Sequence, residues 1–261
     1  MITLLKLGGS LITDKNKPHT ARPDVIHQLA REIKDYCNIS INPLIIGHGS
    51  GSFGHMPANK YGTRNGVHNK SEWEGFAEVH AEATALNFII TDILREEGLP
   101  ILSFVPMNCV RTNNGIISTW DTFLIMRALA NNLIPVVFGD TVFDDTLGGT
   151  ILSTEDLFVH LCSEFDEKPN ILLAGLEEGV WRDYPKNTTL IREIDAAEAD
   201  ESFISGSASI DVTGGMREKV RLMKSLVREG KANEAVIFSG EIPGNLFKAL
   251  NGEEIGTLIK H

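Results

Sequence analysis

Short apolar runs alternate with longer amphipathic stretches along most of the chain. The runs at 2–7, 44–47 and 135–140 have the length of single strands and contain few polar positions. Residues 23–36 and 71–96 instead carry their apolar side chains at helical spacing. This alternation predicts a mostly parallel sheet with helices on both faces, which is a three-layer α/β/α sandwich.

The remaining pattern extends the same α/β architecture to the end of the chain. Ser71 with Glu74 has the spacing of a capping box at the start of the long helix. The further elements predicted are a strand near 101–104, helices over 119–131, 153–163 and 216–230, a hairpin over 141–153, strands at 171–175, 235–240 and 256–260, and a loop at 205–213.

Charge and cysteine content narrow the classes of partner. The 261 residues include 24 Lys and Arg against 35 Asp and Glu, a formal net charge of −11, which argues against nucleic acid or an anionic membrane as a partner. Cys37, Cys109 and Cys162 are far apart and form no CxxC pair, so we expect free thiols in a reducing compartment. No segment approaches the roughly 20 apolar residues of a membrane span. We expect one cytoplasmic domain over residues 1–261.

Five of the predicted strands run directly into a glycine. In parallel α/β sheets, ligands bind at the carboxyl ends of the strands, where a glycine lets the backbone approach a ligand closely. Ordinary tight turns could account for one or two such positions, but five favour a shared ligand-binding edge. These glycines are Gly8, Gly47, Gly139, Gly175 and Gly240.

The first glycine-rich segment, Lys6–Lys15, has the composition of an anion site. The backbone N–H groups of Gly8, Gly9 and Ser10 could form an anion-binding nest. Lys6 lies in an apolar strand, where an unpaired charge is unfavourable, so we expect it to reach a ligand anion or a buried carboxylate. Lys15 is a second candidate, with a solvated loop lysine as the alternative.

The second segment, His48–His55, contains the spacing GxGxxG. A dinucleotide-binding loop normally follows the first strand and needs an acidic residue at the end of the next strand, and neither condition holds here. We interpret the segment as a second backbone nest closed by His55, which would donate to a phosphoryl oxygen. The alternative is an ordinary polar residue near a helix N-terminus.

The third segment is Asp211–Met216, followed by Lys219. Thr213 is a plausible N-cap, and a helix starting at Gly214 or Gly215 would direct its first N–H groups at an anion. Lys219 near that N-terminus opposes the helix dipole, which suggests that it serves a ligand, although an exposed lysine is the alternative. Together the three segments predict phosphoryl transfer between two anionic molecules.

These segments resemble those of the amino acid kinase superfamily, and the resemblance covers essentially the whole chain in order. Within the superfamily, the KxGGSxxTxK start, the SFGH end of the second segment, the VxxGD strand end and DVTGGM with a downstream lysine are similar to isopentenyl phosphate kinases. His55 is the specific feature, because acetylglutamate, aspartate and uridylate kinases carry other residues there. Fosfomycin kinases share a GGxFGH loop and are the nearest alternative, followed by carbamate- and amino-acid-type kinases.

The resemblance implies that ATP phosphorylates isopentenyl phosphate, with Mg²⁺ bridging the β- and γ-phosphates and few or no protein ligands to the metal. By analogy, Lys6 contacts the transferred phosphoryl group, Lys15 and Lys219 neutralise the nucleotide phosphates, and His55 holds the acceptor phosphate. Because the acceptor is already an anion, no general base is required. The implied ATP-binding residues are Lys6, Leu7, Gly8, Gly9, Ser10, Gly51, Gly175, Asp183, Gly214, Gly215 and Lys219.

The acceptor also needs an apolar pocket for its hydrocarbon half. Trp73, Phe76 and Ala83 lie on one face of the predicted long helix, although a stripe at this spacing equally fits plain core. The implied substrate-binding residues are Ser50, His55, Trp73, Phe76, Ala83, Gly139 and Ile151. The resemblance further implies an acceptor-binding lobe near 1–170, a nucleotide-binding lobe near 171–261, and a homodimer formed through the first helix and the 71–96 region.

Two segments depart from the family pattern. Glu155 stands where the family usually has the first Asp of an ISGDD-like stretch, and residues 175–181 replace a TDVDGVY-like strand end. The second departure lies beside the expected nucleotide and leaves the choice between ATP and GTP open. Both motivate a third hypothesis, a catalytically silent nucleotide-binding regulator.

Overall fold

The structure is a computed structural model that describes residues 1–198 and 215–261. Within these ranges, eight strands form the main sheet. Every neighbouring pair is parallel except Glu234–Ser239 with Thr257–Lys260, which is antiparallel. In spatial order, the strands are β12 (Glu193–Asp195), β14 (Thr257–Lys260), β13 (Glu234–Ser239), β9 (Asn170–Gly175), β1 (Thr3–Leu7), β2 (Leu44–His48), β6 (Ile134–Phe138) and β3 (Ile101–Ser103).

The predicted hairpin belongs to a smaller sheet beside the main one. Its two strands pair antiparallel, with Asp140 opposite Leu152 and Asp144 opposite Gly148, which confirms the hairpin. The small sheet has the order β5 (Ile116–Trp120), β4 (Val110–Asn113), β7 (Asp140–Asp144) and β8 (Gly148–Leu152), and a separate two-stranded ribbon joins β10 (Val180–Trp181) to β11 (Leu190–Ile191).

Helices cover both faces of the main sheet. Alternate side chains of β1 enter opposite cores, since Leu4 belongs to one buried cluster and Leu5 to the other. The three-layer α/β/α prediction is therefore confirmed. The described helices are α1 (Gly9–Ile12), α2 (Pro23–Ile39), α3 (Gly51–Tyr61), α4 (Lys70–Glu96), α5 (Phe123–Leu129), α6 (Thr154–Leu161), α7 (Met216–Arg228) and α8 (Asn245–Leu250), with 3₁₀ turns at Thr63–Asn65 and Pro106–Asn108.

Three local predictions are wrong. The capping box of α4 uses Asn69 and Glu72, two residues before the predicted pair. The helix predicted over 119–131 begins only at Phe123, because Thr119 and Trp120 pair with β4 as part of β5. The predicted loop from His48 to His55 is also too long, because α3 already begins at Gly51 and contains His55.

The two implied lobes share the main sheet. Strand β9, at the proposed lobe boundary, pairs directly with β1, so Thr3 lies opposite Asn170. The assignment of one substrate to each lobe stays a prediction. Within the described ranges, no helix is both long enough and apolar enough to cross a membrane.

Candidate active site

A cleft of about 240 Å³ opens at the carboxyl ends of the central strands. Three of the five strand-end glycines line it, namely Gly8, Gly139 and Gly175. Gly47 instead lets α6 pack on β2, since a Cβ there would lie 2.4 Å from a methyl group of Thr154. The predicted site residues that line the cleft are Lys6, Gly8, Gly9, Ser10, Lys15, Ser50, His55, Gly139, Ile151, Gly175, Gly215 and Lys219.

The first two glycine-rich segments meet backbone to backbone. A Cβ added to Gly9 would lie 2.6 Å from the amide nitrogen of Gly51, and Gly51 itself has a φ of +49°. The Thr13 hydroxyl joins the two segments, because it donates to the Gly9 carbonyl at 2.7 Å and accepts from the Ser52 N–H at 3.0 Å. Gly51 is therefore buried behind Gly9 and does not itself line the cleft.

The predicted anion nest is smaller than the sequence indicates. The Gly8 N–H donates to the Ala174 carbonyl at 2.8 Å, so it joins β1 to β9 and is not available to a ligand. Gly9 and Ser10 are the first residues of α1, and the N–H groups at the start of a helix have no acceptor within that helix. We therefore expect the nest to consist of the Gly9 and Ser10 N–H groups, without that of Gly8.

Lys6 forms an ion pair with Glu155 at the floor of the cleft. The two residues are 8% and 5% exposed, so the pair is buried. Burial alone would raise the pKa of the Glu155 carboxyl, but the positive charges of Lys6 and Lys219 outweigh it and hold that pKa below its usual range. Of the two partners that the sequence allows for Lys6, the structure shows the buried carboxylate.

The start of α6 fixes Glu155 in this position. Ser153 caps the helix, accepting from the Asp156 N–H at 3.1 Å, while the Asp156 carboxylate accepts from the Ser153 N–H at 2.7 Å. The Thr154 hydroxyl donates to the His48 carbonyl at 2.6 Å, which joins the same turn to the end of β2. Glu155 consequently lies in a helix turn held at both sides, next to the ends of β1 and β2.

His55 projects into the cleft from α3. Ser50 is the N-cap residue, and a Cβ on Gly54 would lie 2.6 Å from the Ser50 hydroxyl, so this glycine leaves room for the Ser50 side chain. His55 is half-buried and lines the same wall as Ser50 and Gly49. Because His55 lies one turn inside α3, the helix backbone fixes its imidazole more firmly than a loop would.

The structure adds residues on the far side of the cleft that sequence reasoning missed. Trp181 and Tyr184 line it together with Leu173, Val180 and Ile237. The Trp181 indole N–H donates to the Glu177 carboxylate at 3.0 Å, which holds the ring in place. The available signal in the sequence was an aromatic residue two positions after Gly179. The apolar wall to which it belongs suits the base of a nucleotide.

Leu7 and Asp183 are placed elsewhere. Leu7 is fully buried in the core. The Asp183 carboxylate accepts hydrogen bonds from the Thr188 N–H at 3.1 Å, the Thr189 N–H at 3.0 Å and the Thr188 hydroxyl, and the hydroxyl contact is the main reason that the Asp183 pKa is lowered. Asp183 therefore organises its own loop and does not line the cleft formed by the described residues. Gly214, like Asp211 and Thr213, lies outside those residues.

The aromatic residues of α4 form a cluster behind the hairpin. Trp73 and Phe76 contact Phe143 of β7, with ring centroids 5.8 and 5.4 Å apart. Phe76 is buried against Gly149, where a Cβ would lie 2.7 Å from the ring. Neither these two residues nor the buried Ala83 belongs to the lining of the cleft, whereas Ile151 of β8 does.

Buried polar pairs support the strand ends from behind. His80 of α4 contacts the buried Asp140 carboxylate at 2.9 Å, and this hydrogen bond raises the His80 pKa. His48 is completely buried, which lowers its pKa to about 4, and its Nε2 lies 3.2 Å from the Asn87 side-chain oxygen. The two pairs join α4 to the start of β7 and to the end of β2, both next to the cleft.

Among the residues that the structure describes, no group of three or more His, Cys, Asp or Glu side chains is arranged to hold a metal ion. The carboxylates that line the cleft are Glu155 and Glu177. Glu155 is paired with Lys6, and Glu177 accepts from Trp181. This donor set fits a metal that arrives with most of its ligands supplied by phosphate oxygens and water.

Comparison with known proteins agrees with this geometry. A sequence model described as the amino acid kinase family matches residues 1–239. The isopentenyl phosphate kinase of Methanocaldococcus jannaschii is 35% identical over 99% of this chain and 98% of its own length. That of Methanothermobacter thermautotrophicus is 34% identical over 98% of each chain.

The fold comparison gives the same family. A solved X-ray structure of isopentenyl phosphate kinase matches 99% of this chain and 100% of its own, with a TM-score of 0.82 and 31% identity. The match in sequence and in fold thus extends over essentially the full length of the chain. The chain belongs to the amino acid kinase family and, within it, to the isopentenyl phosphate kinases.

Proposed function

We propose that the protein transfers the γ-phosphoryl group of ATP to isopentenyl phosphate, giving isopentenyl diphosphate and ADP. The observation that carries the proposal is the meeting of Lys6, Lys15, His55 and Lys219 in one cleft. These residues come from four separate elements or loops. Relatives named as isopentenyl phosphate kinases match along the full chain.

The chemistry needs alignment and charge neutralisation more than proton transfer. The acceptor oxygen of isopentenyl phosphate is already anionic and attacks the γ-phosphorus in line, while ADP leaves. Lys6 and Lys219 would supply positive charge where negative charge is redistributed, and the Gly9 and Ser10 N–H groups at the start of α1 would donate to the same phosphates. His55, on the wall that it shares with Gly49 and Ser50, is suited to hold the acceptor phosphate.

Mg²⁺ supplies further charge neutralisation when bound. We propose that it would enter with ATP, with phosphate oxygens and water as its main ligands, since the described residues form no cluster that would hold it alone. Glu177 and Glu155 are the carboxylates in reach of the cleft. The lysines of the cleft would bind the phosphate groups directly.

The apolar half of the acceptor would lie along the hairpin. Ile151 and Leu152 line the cleft on this side, and the Trp73, Phe76 and Phe143 cluster backs the same hairpin. We propose that this cluster limits the length of the hydrocarbon chain from behind the wall. Enlarging Ala83, which is buried on the same helix, would then lower activity on longer prenyl phosphates.

The decisive experiment is a coupled ADP-release assay with ATP and Mg²⁺, comparing isopentenyl phosphate, fosfomycin, carbamate and acetylglutamate. Turnover confined to isopentenyl phosphate supports the proposal. Turnover on fosfomycin instead would keep the kinase cleft but overturn the acceptor. ATP binding without turnover on any acceptor would favour the regulator.

We also propose that the protein acts in the cytoplasm as a homodimer. The described cysteines are free, as a reducing compartment allows. The homodimer is proposed from the family resemblance, with α2 and α4 forming the interface. Light scattering coupled to gel filtration distinguishes a mass near 57 kDa, twice the 28.6 kDa of the chain, from that of a monomer.

A further inference from the structure

The segment that carries Lys15 is a closed loop on the rim of the cleft. Thr13 and Ala21 form an antiparallel bridge at its base, and the Asp14 N–H donates to the Thr20 carbonyl at 2.9 Å. Lys15 lines the cleft, although most of the loop is exposed. An exposed loop of this kind needs contacts outside itself if its lysine is to stay in one position.

Contacts with α3 hold one side of the loop. The Thr20 N–H donates to the Ser52 hydroxyl at 3.3 Å, and the His19 N–H donates to the Ser52 carbonyl at 3.4 Å. Both distances are long for hydrogen bonds between these groups. The His19 ring adds an edge-to-face contact with Phe53, with the centroids 5.8 Å apart.

The side chain of His19 makes the short contact. Its Nδ1 lies 2.6 Å from a carboxylate oxygen of Glu82 on α4, so the loop is joined to a second helix. His19 has a φ of +49°, a backbone conformation that non-glycine residues adopt infrequently. A glycine would adopt this backbone without strain, so the residue at this position is explained by its side chain.

We propose that His19 is a positioning residue, which holds the Lys15 loop over the cleft by joining it to Glu82 of α4. The inference rests on the proposed function, in which Lys15 neutralises nucleotide phosphate. A single exposed contact between polar side chains contributes little to folding. Loss of the contact should therefore change the use of ATP more than it changes the melting temperature.

The first test replaces His19 in two ways. His19→Gly removes the contact and relieves the backbone strain, but it also gives the loop backbone more freedom, so Glu82→Ala, which leaves the loop sequence intact, isolates the side-chain contact. We expect both variants to raise the KM for ATP about fivefold, the loss that corresponds to one exposed hydrogen bond, with little change in the KM for the acceptor. His19→Asn, which tolerates a positive φ and can still donate to Glu82, should recover part of this loss.

The second test asks whether the effect passes through Lys15. In a Lys15→Met background, His19→Gly should change the KM for ATP no further, because the residue being positioned is gone. Glu82→Ala, which removes the acceptor altogether, should resemble His19→Gly. His27→Ala is the matched control, since His27 Nδ1 contacts Glu97 at 2.8 Å on the α2 side, and it should leave both KM values unchanged.

The outcomes separate this inference from the proposed function. If the wild-type protein phosphorylates isopentenyl phosphate but His19→Gly and Glu82→Ala keep its KM for ATP, the positioning role is overturned and the function stands. An additive effect of His19→Gly in the Lys15→Met background also overturns it. If the wild-type protein turns over no acceptor, ATP affinity measured by calorimetry on the same variants decides the positioning role.

Discussion

The Lys6 ammonium group and the Glu155 carboxylate are each other's partners in a buried ion pair beneath the cleft. The pair joins the strand that begins the chain to the first turn of α6. A buried pair of this kind is costly to break, because removing one partner leaves the other charge in a poorly solvated place. Lys219 adds a second positive charge near the same carboxylate.

Replacing Lys6 with Met should nearly abolish turnover. The variant removes one charge-stabilising contact from a phosphoryl-transfer site, and such a contact is worth about a hundredfold in kcat. Steady-state rates of ADP release measure the effect. Lys70→Met, at an exposed position on α4, is the matched control and should keep the wild-type kcat. A Lys6→Met variant with more than a third of wild-type kcat contradicts the role.

Replacing Glu155 with Gln should destabilise the fold. Lys6 would then lose the Glu155 carboxylate that it contacts, and breaking a buried ion pair typically lowers the free energy of unfolding by about 3 to 5 kcal/mol. Urea unfolding followed by circular dichroism measures the change. Glu253→Gln on the exposed surface is the control. Unchanged stability in Glu155→Gln would mean that the pair does not matter to folding.

His55→Ala should impair use of the acceptor and spare the nucleotide. We expect a higher KM for isopentenyl phosphate and a lower kcat, because the imidazole is the side chain on the acceptor wall that can donate to the phosphate. ATP affinity, measured by calorimetry, should stay within about twofold, since less than 0.5 kcal/mol of its binding energy is at stake. His68→Ala, exposed before α4, is the control. An unchanged acceptor KM would remove His55 from the acceptor site.

Acid should destabilise the protein through His48. Burial lowers the His48 pKa to about 4 in the folded protein, from 6.5 in an unperturbed histidine. Between these values the unfolded chain binds the extra proton, so the free energy of unfolding falls as the pH is lowered from 6.5 to 4. The contribution of this group amounts to a loss on the order of 3 kcal/mol.

Urea unfolding at several pH values measures this dependence. His48→Gln, which keeps a polar side chain near Asn87, should show a smaller loss between pH 6.5 and 4 than the wild type. His68→Gln is the control, because His68 is exposed, and it should keep the full pH dependence. Parallel pH profiles for wild type and His48→Gln would assign the acid sensitivity to other groups.

Phe76→Ala should open space behind the hairpin. The ring is buried between Trp73, Phe143 and Gly149, and deleting a buried aromatic side chain costs about 3 to 5 kcal/mol. If the cluster limits chain length, the variant should also gain relative activity on longer prenyl phosphates. Phe88→Ala, exposed on the same helix, is the control. A stability loss with unchanged relative rates would assign Phe76 to the core alone.

The sequence predicts the architecture well because the parallel strands are apolar on both faces and glycines mark where they end. It also places the hairpin correctly, since the alternation around Asp145–Gly148 is local. The limits of α5 and α4 are predicted less well: pairing of Trp120 with Val110, and capping by Asn69, depend on contacts that a local pattern does not contain.

The site is predictable where a residue type is chemically unusual for its position. Lys6 in a buried strand is such a case, although the sequence left open whether its partner is a ligand or a buried carboxylate and did not indicate Glu155. A local sequence pattern does not contain the hydrogen bond from the Gly8 N–H to the carbonyl of Ala174, which lies 166 positions away. The sequence places residues 175–181 beside the nucleotide but does not single out Trp181 or Tyr184, because an aromatic residue in a short strand or turn is common.

The pairing of β1 with both β2 and β9 sets the order in which the chain can assemble during synthesis. Thr3 meets Leu44 early, whereas Asn170 is added 167 positions after Thr3. At cellular rates of elongation this delay is roughly 10 to 30 s. Throughout it, the second edge of an apolar strand is without its partner, which is the condition under which nascent chains associate wrongly. The strand that carries Lys6 is thus paired along one edge well before the strand that completes its other edge is made.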